Sequence, residues 1–284
     1  MVLANVIYNE ICCSFVPKVQ KIMKKNISIY GGGWVGAPLA FKLALAEFEV
    51  TVSASSAHKQ AKHPNIKVVE FRAEPNMEKG LWDEMNQSEI QIWAIPPRRK
   101  KNSEEFYLQI LQDWLSVLDE KIVKKIIFLS STSIYQNVSD VVDEKSAIVE
   151  TSLMAQAESL ILASKIPSVT LRLGGLMGGD RFVAKYFSGR RNDGANCPVN
   201  YVHKDDVVAL CTLTVEKINK GIYNIVAPIH PTKGEVGEND IEKRNMPAGT
   251  WDYSQPCLGG KIISGEKITK ELKYQFKHPD PMEF

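Results

Sequence analysis

From Asn26 onward the chain alternates short β-branched apolar runs with longer amphipathic stretches. The runs NISIY (26–30), EVTVSA (49–54), IKVVEF (66–71), IQIWAI (90–95), KIIFLS (125–130), SVTLRL (168–173) and GIYNIVA (221–227) predict seven strands. Residues 34–46, 104–119, 151–164 and 204–218 predict helices between them. In the second of these, Phe106, Ile110, Leu111, Trp114 and Leu118 fall on one helical stripe. Strands without inward polar alternation, interleaved with helices, predict an α/β fold: a doubly wound parallel sheet covered on both faces. Residues 228–260 carry Pro, Gly, Asn and Asp with little periodicity and predict loops and short elements. The closing KIISGEKITKELKYQF predicts a strand and a short helix.

Composition narrows the class. The 284 residues are 44% hydrophobic and 24% charged, enough for one large core, or for one core and a smaller lobe. Lys and Arg total 35 against 33 Asp and Glu, so no net field points to nucleic acid or to an anionic membrane. No apolar run approaches the roughly 20 residues that span a bilayer. The five cysteines are odd in number, lack CxxC spacing, and read as thiols of a reducing compartment, which implies a cytoplasmic protein. Residues 1–22 lack a basic region before their apolar stretch and carry Glu10 within it, unlike a signal peptide. The expectation is that Met23 is the natural start, or that residues 1–22 are a dispensable extension.

Between the first strand and the first helix stands YGGGWVG, in which Gly31, Gly33 and Gly36 fit G-x-G-x-x-G. The first glycine allows the tight turn, the second lets backbone approach a pyrophosphate, and the third lets helix and strand pack closely. A Rossmann-type dinucleotide site is therefore expected, with Trp34 and Val35 in the turn and Ala94 and Pro96 at the end of the fourth strand. An NAD site usually carries Asp or Glu at the end of the second strand, to hold the ribose 2′-hydroxyl. Here VTVSASSAHKQAK has no carboxylate, and Ser53, Ser55, Ser56, His58 and Lys59 stand there instead. NADP(H) is expected over NAD(H).

Four later stretches carry a resemblance: IIFLSSTSIYQN (126–137), TLRLGGLMGGDR (170–181), NYVHKDDVVAL (200–210) and GIYNIVAPIHPTKGE (221–235). Together with the glycine turn, they resemble the extended and atypical short-chain dehydrogenase/reductase proteins, the NAD(P)-dependent epimerase/dehydratase-like group. The resemblance implies an NAD(P)-binding domain over residues 23–227, with lobe segments inserted at about 175–203, and a small C-terminal substrate lobe over 228–284. It also implies that Ser131, or alternatively Thr132, holds a substrate oxygen, and that Tyr135, Arg172, Gly174 and His203 lie on the substrate. A sugar-like or polyhydroxylated substrate and a homodimer follow from the same resemblance.

The family's proton chemistry uses Tyr-x-x-x-Lys, in which lysine lowers the pKa of a tyrosine on the same helical face. None of the nine tyrosines here has lysine four residues later. In the matching helix the lysine position is Met154 and the tyrosine position Glu150. Three readings stand: Glu150 moves the proton; a tyrosine from elsewhere (Tyr135, Tyr186 or Tyr201) enters the site; or the protein binds NAD(P) without turnover, as a sensor. Arg98 and Arg99 after the fourth strand, and Arg181, Arg190 and Arg191 later, are candidate anion contacts or plain surface charge. The five histidines show no ligand spacing, so no metal is expected.

Overall fold

The computed structural model describes residues 25–55, 63–97 and 104–284. The expectations for residues 1–22, Met23, Ser56, His58, Lys59, Arg98 and Arg99 lie outside the described residues. Seven strands form one sheet: β1 (Asn26–Tyr30), β2 (Glu49–Ala54), β3 (Ile66–Glu70), β4 (Ile90–Trp93), β5 (Lys125–Ser131), β6 (Ser168–Leu173) and β7 (Gly221–Ile225). Their spatial order is β7-β6-β5-β4-β1-β2-β3, with every pairing parallel. The fold is a Rossmann-type doubly wound sheet. Its strand order reverses beside β1, which opens a crevice at the carboxyl ends of β1 and β4.

Alternation along each strand sends side chains to two separate cores. Ile27 and Ile29 of β1 pack with Leu39 and Leu43 of α1 (Gly36–Leu45) and Leu210 and Val215 of α4 (Lys204–Lys217). The other face belongs to α2 (Glu104–Ser116) and α3 (Leu153–Ala163). There Tyr30 meets Trp82, Trp93 and Trp114, with ring centroids 5.4–6.0 Å from its own. The buried stripe of α2 is Tyr107, Ile110, Leu111 and Trp114, one step round from the expected one, and Phe106 is only half-buried.

The remaining chain builds small ladders at the carboxyl edge. Tyr201–His203 pairs with Gly175–Met177, Thr250–Trp251 with Arg191–Asn192, and Ile262–Ile263 with Val141–Val142. Two helices complete it, α5 (Lys233–Lys243) and α6 (Glu266–Leu272).

Two expectations are corrected. Residues 228–260 hold the full helix α5, which a polar, glycine-bearing sequence hid. It is fixed by a capping box, in which Thr232 Oγ1 accepts from Glu235 N–H and Glu235 Oε2 accepts from Thr232 N–H. Its glycines leave room for rings: a Cβ on Gly237 would lie 2.2 Å from Trp251, and one on Gly234 would lie 2.4 Å from the Tyr253 hydroxyl. The second correction concerns cysteine. Cys197 and Cys257, 60 residues apart, form a disulfide, while Cys211 is a buried free thiol. Spacing along the chain conceals a pair that only the folding of the lobe brings together. Among the described residues no helix is long and apolar enough to cross a membrane.

Candidate active site

The crevice at the switch point is a cavity of about 1120 Å³. It runs from the glycine turn, past the ends of β4 and β5, to the start of α3. At one end β1 stops at Tyr30 and the chain turns back on itself. Gly31 takes φ +100°, a backbone that side chains rarely adopt, and a Cβ there would lie 3.0 Å from the Ala94 carbonyl. A Cβ on Gly36 would fall 2.0 Å from the Gly31 carbonyl oxygen, so α1 meets β1 without room for any side chain. Gly33 has open space on that side, which leaves its backbone approachable from the cavity. The turn is pinned to the second strand. Gly31 N–H donates to Ser53 Oγ at 2.8 Å, and Gly32 N–H to the Ser53 carbonyl at 2.6 Å.

That bond gives Ser53 an anchoring role: the residue is buried, it lines the cavity, and its hydroxyl holds the turn. Ser55 also lines the cavity, as do Trp34, Val35, Ala94 and Pro96. Arg72, two residues past β3, lines the same end and pairs with Glu74 at 3.1 Å. Sequence reading missed Arg72, although its place directly after a predicted strand puts it on the ligand edge.

At the other end the lining is largely apolar: Leu129, Leu153, Met154, Leu173 and Leu176, with Phe106, Tyr107 and Ile110 from α2. The polar residues there are Glu104 at the start of α2 and serines at the end of β5 and in the turn after it. Ser131 Oγ donates to Ser133 Oγ at 2.9 Å and accepts from Ser133 N–H, so the two hydroxyls act as one cluster on the cavity wall. Ser133 was not expected. Thr132 is buried and donates to the Leu173 carbonyl, which removes its hydroxyl from the cavity. Gly174 lines the cavity, and a Cβ there would strike the Asn200 carbonyl at 2.5 Å.

Tyr135 and Arg172 depart from expectation more sharply. They are 1% and 3% exposed and sit inside a closed network rather than on the cleft. The Arg172 guanidinium binds both Glu158 oxygens, and its other nitrogen donates to the Tyr135 hydroxyl at 2.9 Å. Tyr135 in turn donates to Asn224 at 2.7 Å, and Ser130 donates to Glu158. With every polar atom engaged, these side chains hold β5, β6, β7 and α3 together. Neither is available to a substrate.

Among the described residues no phenol stands in for the absent tyrosine. Burial pushes the Tyr135 phenol up despite the guanidinium beside it. Burial also pushes Tyr201 up to about 12, and Tyr186 lies on the surface, 45% exposed. Tyr107 does line the cavity, but burial raises it, and its hydroxyl is held between Trp93 and the Ile95 carbonyl. Glu150 is corrected too. Helix α3 begins only at Leu153, capped by Ser152, so Glu150 precedes the helix. It faces a separate surface groove of about 700 Å³, together with Gln136, Asn137 and residues 146–151. Met154 meets the cavity where the family's lysine would stand.

His203 caps α4 instead of reaching the substrate, its Nδ1 accepting from Asp205 N–H at 3.2 Å. Folding brings it to Asp205 and His278, a set that spacing did not show. Those donors are already engaged: the Nδ1 lone pair caps the helix, and the Lys277 ammonium lies 3.4 Å from the Asp205 carboxylate.

No protein-family model matches this sequence. Protein YeeZ of Escherichia coli is 30% identical over 268 residues, covering 91% of this chain and 98% of YeeZ. Among solved structures, WbmG of Bordetella bronchiseptica in complex with NAD superposes with a TM-score of 0.73 at 14% identity, covering 93% of this chain and 94% of WbmG. A putative NAD-dependent epimerase/dehydratase from Methylobacillus flagellatus gives 0.72 at 20%, covering 91% and 95%.

Proposed function

The chain belongs to the family of protein YeeZ and has the fold of the extended short-chain dehydrogenases/reductases, and from that premise we propose that it is an NAD(P)-dependent oxidoreductase or epimerase-like protein. Its substrate on this reading is small and sugar-like or polyhydroxylated. The observation that carries the reading is the glycine turn, pinned to β2 and open at Gly33 onto a cavity of about 1120 Å³. That volume suits a dinucleotide with a small second ligand.

The residues present fit such a cofactor. Gly33 and the start of α1 would hold its pyrophosphate. Ser55 and Arg72, with no carboxylate at the end of β2, would accept a ribose 2′-phosphate, which supports NADP(H) over NAD(H). When bound, the nicotinamide supplies or accepts a hydride. The protein's own contribution at that end is orientation and exclusion of water. The Ser131–Ser133 hydroxyl pair would hold a substrate oxygen, while Leu153, Met154, Leu173 and Leu176 keep the surroundings dry. The reading has a homodimer with neither nucleic acid nor membrane as partner, the latter supported by the near balance of charge, while the Cys197–Cys257 disulfide removes the thiol argument for the cytoplasm.

A specific observation favours a second reading, a non-catalytic NAD(P)-binding sensor. Among the described residues the cavity presents no phenol free of a hydrogen-bond partner, Met154 replaces the lysine, and Glu150 faces away. Titration of the whole chain with NADPH and NADH, followed by tryptophan fluorescence, tests the shared premise. The expected result is saturable binding, tighter for NADPH; no binding of either overturns both readings. A carbonyl panel then separates them. Turnover that falls in Ser131→Ala with cofactor affinity unchanged supports the enzyme, and binding without turnover supports the sensor.

A further inference from the structure

The loop after the short strand Gly175–Met177 crosses back over the mouth of the cleft and lands on the glycine turn. Its landing point is Trp34, whose indole N–H donates to Asp180 at 2.6 Å. The Arg181 guanidinium carbon lies 4.3 Å from the same indole's centroid, and the Lys204 ammonium, at the start of α4, lies 5.0 Å from it. Gly178 and Gly179 give the loop its path, at φ +113° and +62°. A Cβ on Gly178 would lie 2.4 Å from the His203 imidazole, so the loop packs against the start of α4 as closely as a backbone can. The arrangement joins three segments that are far apart in sequence on one half-buried aromatic ring.

Arg181 differs from the other groups around that ring. It alone of Asp180, Arg181 and Lys204 lines the cavity. A guanidinium 4.3 Å from an indole centroid is held by a cation–π contact that does not consume its N–H edge. Among the described residues that edge has no acceptor: the Arg181 side chain makes neither a hydrogen bond nor a salt bridge. An ordered fork of five donors, beside a phosphate-binding turn and without an anion, matches the geometry of a diphosphate. The adjacent Asp180 accepts from the Trp34 indole and acts on Arg181 only through its charge, without a hydrogen bond or ion pair to the guanidinium. Lys204 adds a second positive charge on the ring side.

We propose that Arg181, held against the Trp34 ring, engages the diphosphate of the bound dinucleotide, so that the 178–181 loop closes the cofactor end of the cleft. The assignment rests on the cofactor reading above and sharpens it. It makes the site selective for a diphosphate-bearing nucleotide over a monophosphate, and it makes Trp34 a direct reporter of occupancy.

Calorimetric titration of the full chain with NADPH, ADP and AMP tests it, for the parent, Arg181→Ala and Arg181→Lys, with thermal melts to confirm that each variant is folded. Arg181→Ala is expected to weaken NADPH and ADP by about tenfold or more and AMP by less than about twofold. Arg181→Lys should recover part of the loss, since it restores the charge but not the fork. If Arg181→Ala binds NADPH and ADP as tightly as the parent, the assignment falls while the cofactor reading stands. Equal losses for ADP and AMP overturn the diphosphate assignment as well. If the parent binds none of the three, the cofactor reading falls with it.

Discussion

The two ends of the cleft are furnished in opposite ways. At the glycine turn, backbone and charge converge on open space: Gly33 is approachable, and Ser55, Arg72 and Arg181 line the wall. At the α3 end the buried charged side chains are withdrawn from the cavity. Glu158, Arg172 and Tyr135 satisfy one another in the interior, and the ligand space is lined mainly by apolar residues and serines, with Glu104 at the start of α2. The difference teaches that a nucleotide cradle and a proton-transfer site are separate constructions on this fold. The first is made by backbone conformation at the switch point. The second needs particular side chains on a helix face, and α3 does not present them.

The contrast can be attacked from the interior outward. Arg172→Met should have the largest effect, because it leaves Glu158 buried without its cation; removing one partner of such a pair costs about 3–5 kcal/mol. Urea denaturation measures it. A loss within the range of an ordinary surface change would mean that the network is not what joins β6 to α3. Gly36→Ala comes next. The added methyl must displace the Gly31 carbonyl, at an expected cost of about 1–3 kcal/mol together with loss of NADPH affinity. Affinity that survives the substitution would show that the turn does not hold the nucleotide.

A smaller effect is expected with pH. Burial, and then the adjoining His278, hold the His203 imidazole below its ordinary range, and Asp205, Asp206 and Lys204 act on it with lesser weight. The native state therefore binds fewer protons than the unfolded state once pH drops below about 6.5. Stability should decline as pH falls through that value toward the lower native pKa, and above it the stabilisation is complete. His203→Asn keeps an oxygen acceptor for the helix cap and should flatten the slope. A slope unchanged in that variant would assign the acid sensitivity elsewhere. The smallest expected effect is that of Glu150→Gln, which should alter neither stability nor cofactor affinity, since its carboxylate is exposed outside the cleft. A clear loss of NADPH turnover in that variant would return Glu150 to the site.

The sequence by itself determined the sheet and its ligand edge. Buried parallel strands must be apolar and β-branched, and helices between them must be amphipathic, so both appear as local periodicity; β1, β2 and β6 begin and end where the pattern places them. The glycine turn was legible for a related reason, because only glycine tolerates the backbone at Gly31 and the contact at Gly36. The absence of Tyr-x-x-x-Lys was equally plain. What only the tertiary structure decided is where polar side chains find partners. Tyr135 and Arg172 stand in site-lining segments, yet each turns inward, to groups between 14 and 89 residues away. Arg181 reaches Trp34, Cys197 reaches Cys257, and Arg72 joins the same wall, none of them at a spacing that local pattern records. Periodicity reports burial, which each residue carries in its own chemistry; hydrogen bonds and ion pairs depend on the relative placement of distant segments, and packing of the folded chain supplies that.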